Sequence, residues 1–335
     1  MIRMIDIAQK AGVSRSTVSF ILNGAPQAEK IRQEVRDKVL NIAEELGYQP
    51  NQIAKSMISG KTKVIGLVSD LPQHEHLSLI LAGILTACEE HDYFIKFMNK
   101  SSDEKTLIKK IRGQRLDGVI INHYPLMELD SLIEKLTQHR IPIAVVANSF
   151  QTKNGIRVVS DDQQGGMLAI EHFVQNGHRK IAFIGSNENS YTLNERRIGY
   201  FEGMKKYCPT EKVNNISIDS ASIESLIKVI EENPETTAYF CPWPVLAVNL
   251  IKASRRIKKR MPKDISVIAY SNSQLTRHFD PPITTIDQHH REMGYSAAML
   301  LIKAMKDSDT TIFDTATTKT LPASLVVGET VSYRR

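Results

Sequence analysis

Apolar residues in the first sixty positions recur at helical rather than strand spacing. Ile5, Ala8 and Ala11 fall on one face, and Gly12 then interrupts the pattern ahead of Val13 and Ser14. A short first helix is predicted there. Ser14 suits a helix N-cap because its hydroxyl can accept a free backbone N–H, and Val18, Ile21 and Leu22 continue as one face of a second helix that Asn23-Gly24 closes. A third helix is predicted at about 31–46, with Val35, Val39, Ile42, Ala43 and Leu46 turned inward and Gly47 as its stop. Residues 48–60 begin around Pro50 and end at Gly60, a stretch too short to hold a helix alone in water. It is expected to fold only on a partner.

Beyond Lys61 the periodicity changes. Val64 to Val68 is a continuous apolar run of the kind buried on both faces of a parallel sheet. Helical and strand patterns then alternate: a helix near 77–91 before a strand near 93–98, a helix near 103–112 before 118–122, and a helix at 129–139 before 143–147. After Asp161 the alternation restarts. Gly165-Gly166 opens a helix to Asn176, followed by a strand at 181–185, a helix at 195–207 and strands at 238–241 and 265–270. The pattern predicts two doubly wound α/β lobes.

The chain has 335 residues, more than one typical domain, so a small head before a two-lobed body is the natural partition. No apolar run reaches the ~20 residues of a membrane span. The early Asp6 and the absence of a long apolar stretch argue against export, so a cytoplasmic protein is expected. Cys88, Cys208 and Cys241 are scattered, which suits reduced thiols better than disulfides or a metal site. The net charge of +6 is uneven: residues 1–63 hold ten Lys and Arg against six Asp and Glu. The head is the basic end.

Two short helices joined by a Gly-containing turn form either a helix-turn-helix unit or a generic helical hairpin with solvated polar residues. In the first case Arg15, Ser16 and Ser19 face DNA. Arg15 can pair bidentately with guanine O6 and N7, while Thr17 and Ser19 can equally hold phosphates.

Asp6-Ile7-Ala8, Ala11-Gly12-Val13-Ser14, Thr17-Val18-Ser19, Asn23-Gly24, Leu46-Gly47-Tyr48-Gln49-Pro50-Asn51 and Ala54 together resemble the head of the lactose-repressor (LacI/GalR) family. The resemblance continues, weakly but in order, to the C-terminus. It implies a homodimeric transcription regulator on a pseudo-palindromic operator, with repression as the expected direction. The DNA contacts it implies are Ser14, Arg15, Ser16, Thr17, Ser19 and Asn23 of the head, and Asn51, Ala54 and Met57 of a hinge helix at about 51–59. Met57 stands where the family's wedge residue, usually Leu, enters the minor groove. The segment Ala25 to Ile31 is a few residues longer than in the best-known members.

For the body the resemblance implies a periplasmic-binding-protein-like fold at 61–335, with one lobe at about 61–160 and 288–322 and the other at about 161–287. A small-molecule effector would lie between them, as open α/β sheets bind ligands at the carboxyl ends of their strands. Asp161 and Arg196 match the acid and the arginine of the family's cleft; the alternatives are a helix cap for Asp161 and a surface ion pair for Arg196. Three positions depart from the pattern. Trp243-Pro244 replaces an Asn-Asp pair, Ser271-Asn272 an Asp pair, and His76-Leu77 a Phe pair. His76, Trp243, Ser271 and Asn272 are therefore the candidate effector contacts besides Asp161 and Arg196. They point to a sugar or related metabolite that is larger, flatter or poorer in hydroxyls, with Trp243 as a stacking face or a buried wall.

Catalytic readings lack a foundation. There is no GxGxxG, phosphate-binding loop, GxSxG or Cys-rich metal spacing, and adjacent His289-His290 would point in different directions. No enzyme activity and no cofactor are expected. A transported-solute receptor would share the body but has no use for the head. A regulator that has lost small-molecule sensing and answers to a protein partner is the remaining alternative.

Overall fold

The computed structural model describes residues 2–49, 60–69, 75–99, 103–122, 126–146, 153–187 and 190–334. The chain divides into two compact units, Met1–Thr62 and Lys63–Arg335.

In the first unit, α1 (Met4–Ala11) ends at Gly12, whose left-handed φ of 73° lets its N–H and that of Val13 return to the Ala8 carbonyl. Ser14 then caps α2 (Arg15–Leu22) by accepting from Thr17 N at 3.0 Å. A 3₁₀ turn at Pro26–Lys30 takes up the longer connection and leads to α3 (Gln33–Glu45). Val18, Ile21, Val39, Ile42 and Ala43 close a core with Ile7, Ala8 and Ala11. Two inward positions differ from the sequence reading. Ile7 is fully buried while Ile5 is 39% exposed, and Val35 is only half-buried. In an eight-residue helix the wheel alone cannot decide which edge of a broad apolar face turns inward.

The second unit holds two six-stranded sheets. The first, in the order β11-β5-β4-β3-β1-β2, is parallel throughout and comprises β1 (Val64–Ser69), β2 (Phe94–Asn99), β3 (Gly118–Asn122), β4 (Ile143–Val146), β5 (Gly155–Ser160) and β11 (Ala316–Leu321). Helices α4 (Glu75–Glu89), α5 (Glu104–Gly113) and α6 (Leu126–Gln138) connect its early strands. The second sheet, in the order β12-β10-β9-β8-β6-β7, comprises β6 (Ile181–Ser186), β7 (Asn214–Ile218), β8 (Ala238–Cys241), β9 (Ser266–Tyr270), β10 (Thr284–Asp287) and β12 (Ser324–Val326), the last antiparallel to β10. Its helices are α7 (Asp162–Gln175), α8 (Tyr191–Tyr207), α9 (Ile223–Glu232), α10 (Pro244–Arg256) and the single turn α11 (Gln274–Arg277). The long α12 (His290–Asp307) packs back on α4 and on the first sheet. β7 and α9 fill a stretch that the sequence reading passed over, because β7, Asn-Asn-Ile-Ser-Ile, is a half-exposed edge strand without a continuous apolar run.

The backbone passes between the sheets three times, from β5 into α7, from β10 into α12 and from β11 into β12. Hydrogen bonds tie these crossings to one another. Asp161 N donates to the Leu321 carbonyl at 2.8 Å, Ala323 N donates to Gln164 Oε1 at 2.9 Å, and Ser324 Oγ lies 3.0 Å from His289 Nε2.

Helices α4 and α12 approach closely enough to need glycine on both sides. A Cβ on Gly83 would lie 1.9 Å from the Arg291 carbonyl oxygen, and one on Gly294 would lie 2.1 Å from that of Ile80. Gly83→Ala is therefore expected to lower stability by roughly 1–3 kcal/mol or more through overpacking. Gly113→Ala is its control: a Cβ there meets nothing within 4 Å, so the change should be neutral or slightly stabilising. Urea unfolding of both variants checks this, and equal midpoints would exclude the close approach.

Candidate functional site

The head presents one helix face for recognition. Ser14 Oγ lies 2.7 Å from Ser16 Oγ and 2.8 Å from Thr17 Oγ1, and Ser19 Oγ accepts from Asn23 Nδ2 at 3.2 Å. These hydroxyls are held in place by each other at the start and end of α2. Arg15 is exposed and makes no hydrogen bond or ion pair among the described residues. It is the uncommitted donor at a helix N-terminus. Asn51, Ala54 and Met57, the expected hinge contacts, lie outside the described residues.

In the body, the strand ends of the second sheet carry a buried polar cluster centred on Arg196. Its guanidinium carbon stands 4.0 Å above the Tyr270 ring, Nη1 donates to the Pro242 carbonyl at 2.5 Å, and Nε is 3.6 Å from Asp162 Oδ2. Close helix packing makes this possible. A Cβ on Gly165 would collide with the Tyr270 hydroxyl, and Gly166 and Gly199 let α7 and α8 touch backbone to backbone.

The acid of this cluster is Asp162, the neighbour of the candidate effector contact Asp161. Asp161 is the α7 N-cap and accepts from Gln164 N at 2.9 Å, the bland role considered for it. Asp162 is buried and accepts from Gln288 Nε2 at 3.1 Å. Burial raises its carboxyl above the ordinary range even though Arg196, Tyr270 and Gln288 pull it down. One residue of difference at a helix start turns a side chain by about 100°, which sequence alone does not resolve when two acids are adjacent.

Trp243 follows Pro242 at the α10 N-cap position, half-buried and packed against the apolar clusters on both sides of the second sheet. Ser271 adopts a left-handed φ of 79° and donates its N–H to Ile286 O at 2.8 Å. Asn272 Nδ2 donates to Asp287 Oδ2 at 3.0 Å, and its buried Oδ1 has no partner among the described residues. His76 stands 5.6 Å, ring to ring, from the buried His290. His289, in contrast, turns to Ser324, so the adjacent histidines do diverge.

Two features escaped the sequence reading. Glu75, at the start of α4, bridges to the other lobe: its Oε1 accepts from Arg277 Nη2 at 3.0 Å and its Oε2 from Gln274 N at 2.6 Å. On the flank a groove of about 470 Å³ runs between α4, α12 and the segment from Asn272 to Arg277 of α11, walled by Leu79, Thr86, Asp287 and Arg291. Arg196, Asp162 and Trp243 do not line it.

A capped reading helix on a basic head, joined in one chain to a two-lobed body with a polar cleft floor, defines a ligand-responsive transcription regulator. Comparison with known proteins agrees. Residues 3–51 match the model for bacterial regulatory proteins of the lacI family, and residues 170–331 match the periplasmic binding protein-like domain. By these two matches the chain is similar to regulators of the lacI family. It is 29% identical over 315 residues to the HTH-type transcriptional repressor PurR of Aliivibrio fischeri, covering 91% of this chain and 92% of that one. Among solved structures it is similar to the lac repressor dimer bound to operator and the anti-inducer ONPF, with a TM-score of 0.79 at 24% identity and 99% of both chains covered. It is also similar to the transcriptional regulator CelR in complex with cellobiose, with a TM-score of 0.69 at 23% identity, covering 98% of this chain and all of that one. The relatives are repressors, and this chain is a regulator rather than an enzyme. Among the described residues no helix is long and apolar enough to cross a membrane.

The histidine beside the cluster makes acid stability a test of the cleft. Burial, with His76 and Arg196 nearby, pushes His290 down from 6.5 to about 3, against a smaller upward pull from Asp287. The unfolded chain therefore binds a proton that the folded chain refuses, and the resulting stability is lost as pH falls from 6.5 toward 3. At pH 5 the loss is about 2 kcal/mol relative to neutral pH. His290→Gln should remove this part of the acid sensitivity in urea unfolding at pH 7 and pH 5; an unchanged difference between the two pH values would place His290 in solvent.

Proposed function

We propose that this protein is a repressor that binds a pseudo-palindromic operator as a homodimer and is switched by a small metabolite held between its lobes. The observation that carries this reading is one chain combining a reading helix with an uncommitted Arg15 and two lobes linked by three mutually bonded crossings. The head with its hinge helix spans 1–60, and the body 61–335. Residues 61–160 and 288–322 form one lobe, and 161–287 the other, which β12 rejoins. Such a regulator acts on the chromosome and hence in the cytoplasm.

In this reading α2 enters the major groove with its N-terminal turn foremost. Arg15 reads guanine. Ser14 fixes the helix start, Ser16 lies against the base edges, and Thr17, Ser19 and Asn23 hold phosphates. Asn51, Ala54 and Met57 belong to the hinge segment, with Met57 as the minor-groove wedge.

In the cleft, the guanidinium of Arg196 is oriented by Asp162 and Tyr270 toward acceptor oxygens or ring nitrogens of an effector. Trp243 supplies an apolar wall, and His76, Asp161, Ser271 and Asn272 supply polar contacts. The absence of an acid pair at 271–272 favours a sugar-related or planar ring metabolite over a simple polyol. Closure is reinforced by the Glu75 bridge, and an effector acts by preferring one lobe arrangement over another. Repacking between the first lobes of the two protomers then alters the order of the hinge segments.

Arg15→Ala should cost roughly 1–3 kcal/mol per half-site on the preferred duplex and much less on a scrambled one. Fluorescence anisotropy with both duplexes, the preferred one obtained by selection from random sequence, measures the ratio. An equal loss on both would reduce Arg15 to a phosphate contact.

A further inference from the structure

Phe20 is an aromatic on a face that should have no use for one. The buried side of α2 is formed by Val18 and Ile21, at 0% and 8% exposure, and Phe20 is 36% exposed and is not part of the head's apolar cluster. At about 100° per residue, Arg15, Ser16, Ser19, Phe20 and Asn23 occupy a sector of roughly 140° opposite Val18 and Ile21. Ser14, Ser16 and Thr17 are knit together and Ser19 is bonded to Asn23, so Arg15 and Phe20 are the two large side chains on this sector that no bond engages among the described residues. Phe20 stands one turn beyond Ser16. It is about 7.5 Å along the axis from Arg15, roughly two base-pair steps.

We propose that Phe20 is a specificity-determining residue that reads the C5-methyl group of a thymine in each operator half-site. This rests on the reading of α2 as the major-groove helix. A phenyl ring neither donates to a phosphate nor pairs with a polar base edge. The apolar group that the major groove offers is the thymine methyl, and cytosine at the same place presents a polar amino group and no methyl. Burying the ring there removes apolar surface from water on both sides of the contact. Arg15 and Phe20 then divide the work, one selecting guanine by hydrogen bonds and the other selecting thymine by shape.

The test uses the full-length chain. Preferred duplexes are first selected from a random-sequence library, and each symmetric thymine pair is then replaced by deoxyuridine, which deletes the methyl alone. Affinities of the wild type, Phe20→Ala and Phe20→Leu are measured by fluorescence anisotropy. One thymine pair should be sensitive in the wild type, by roughly fourfold per methyl and about tenfold or more for the pair. Phe20→Ala should bind the thymine and uracil duplexes alike, and Phe20→Leu should retain part of the difference. A selected site whose thymines are all indifferent to uracil, or a Phe20→Ala variant that keeps the full difference, overturns the proposal while leaving operator binding intact. Failure to enrich any duplex overturns the operator-binding reading itself. If Phe20→Ala fails to fold, Phe20→Leu decides: an undiminished difference between thymine and uracil duplexes in that variant overturns the proposal.

Discussion

A buried guanidinium beside a buried carboxylate is the constraint on which the body is organised. Arg196 and Asp162 are 12% and 5% exposed in their side chains, so neither charge is tolerable without the other. Asp162 is bound by Gln288 at the second crossing, and its neighbours Asp161 and Gln164 bond to the backbone of the third. Tyr270 and Pro242 bring in the ends of β9 and β8. A single ion pair thus joins the floor of the cleft to the segments through which the lobes are connected. Removing one partner of such a pair typically costs 3–5 kcal/mol, because the other is left charged and dry. An effector oxygen bound as proposed at Arg196 would perturb the balance at the place where the lobes meet.

Stability and responsiveness are separated in this architecture. Each sheet is enclosed by its own apolar clusters of Ile, Val, Leu and aromatic residues. The Glu75 bridge to Arg277 and Gln274 is partly solvent-exposed, which suits a contact that must break and reform. The head has its own small core and carries its reading residues on the side away from it.

The features legible in the sequence were those with short-range causes. Continuous β-branched runs marked the inner strands, and Ser14, Gly12 and Gly47 marked helix ends, because caps and left-handed turns are decided within a few residues. Edge strand β7 was missed for lack of an apolar run. The choice between Asp161 and Asp162 depends on how α7 meets α8, and the bridge from Glu75 spans about two hundred positions. Neither has a local signal. Phe20 was visible as a residue but not as an exposed one, since Ile21 and Leu22 beside it read equally well as core.

Reciprocal linkage between the cleft and the operator is the most direct test of a ligand-switched regulator. Trp243 is the only tryptophan in the chain, so its emission can report binding across a panel of sugars, sugar phosphates, nucleosides and purine bases. A compound that gives a saturable change is then titrated with and without the selected duplex, and the duplex with and without the compound. Each ligand should change the affinity of the other by the same factor, about 5–150-fold for a typical coupling of 1–3 kcal/mol. Saturable binding that leaves operator affinity unchanged would contradict that linkage.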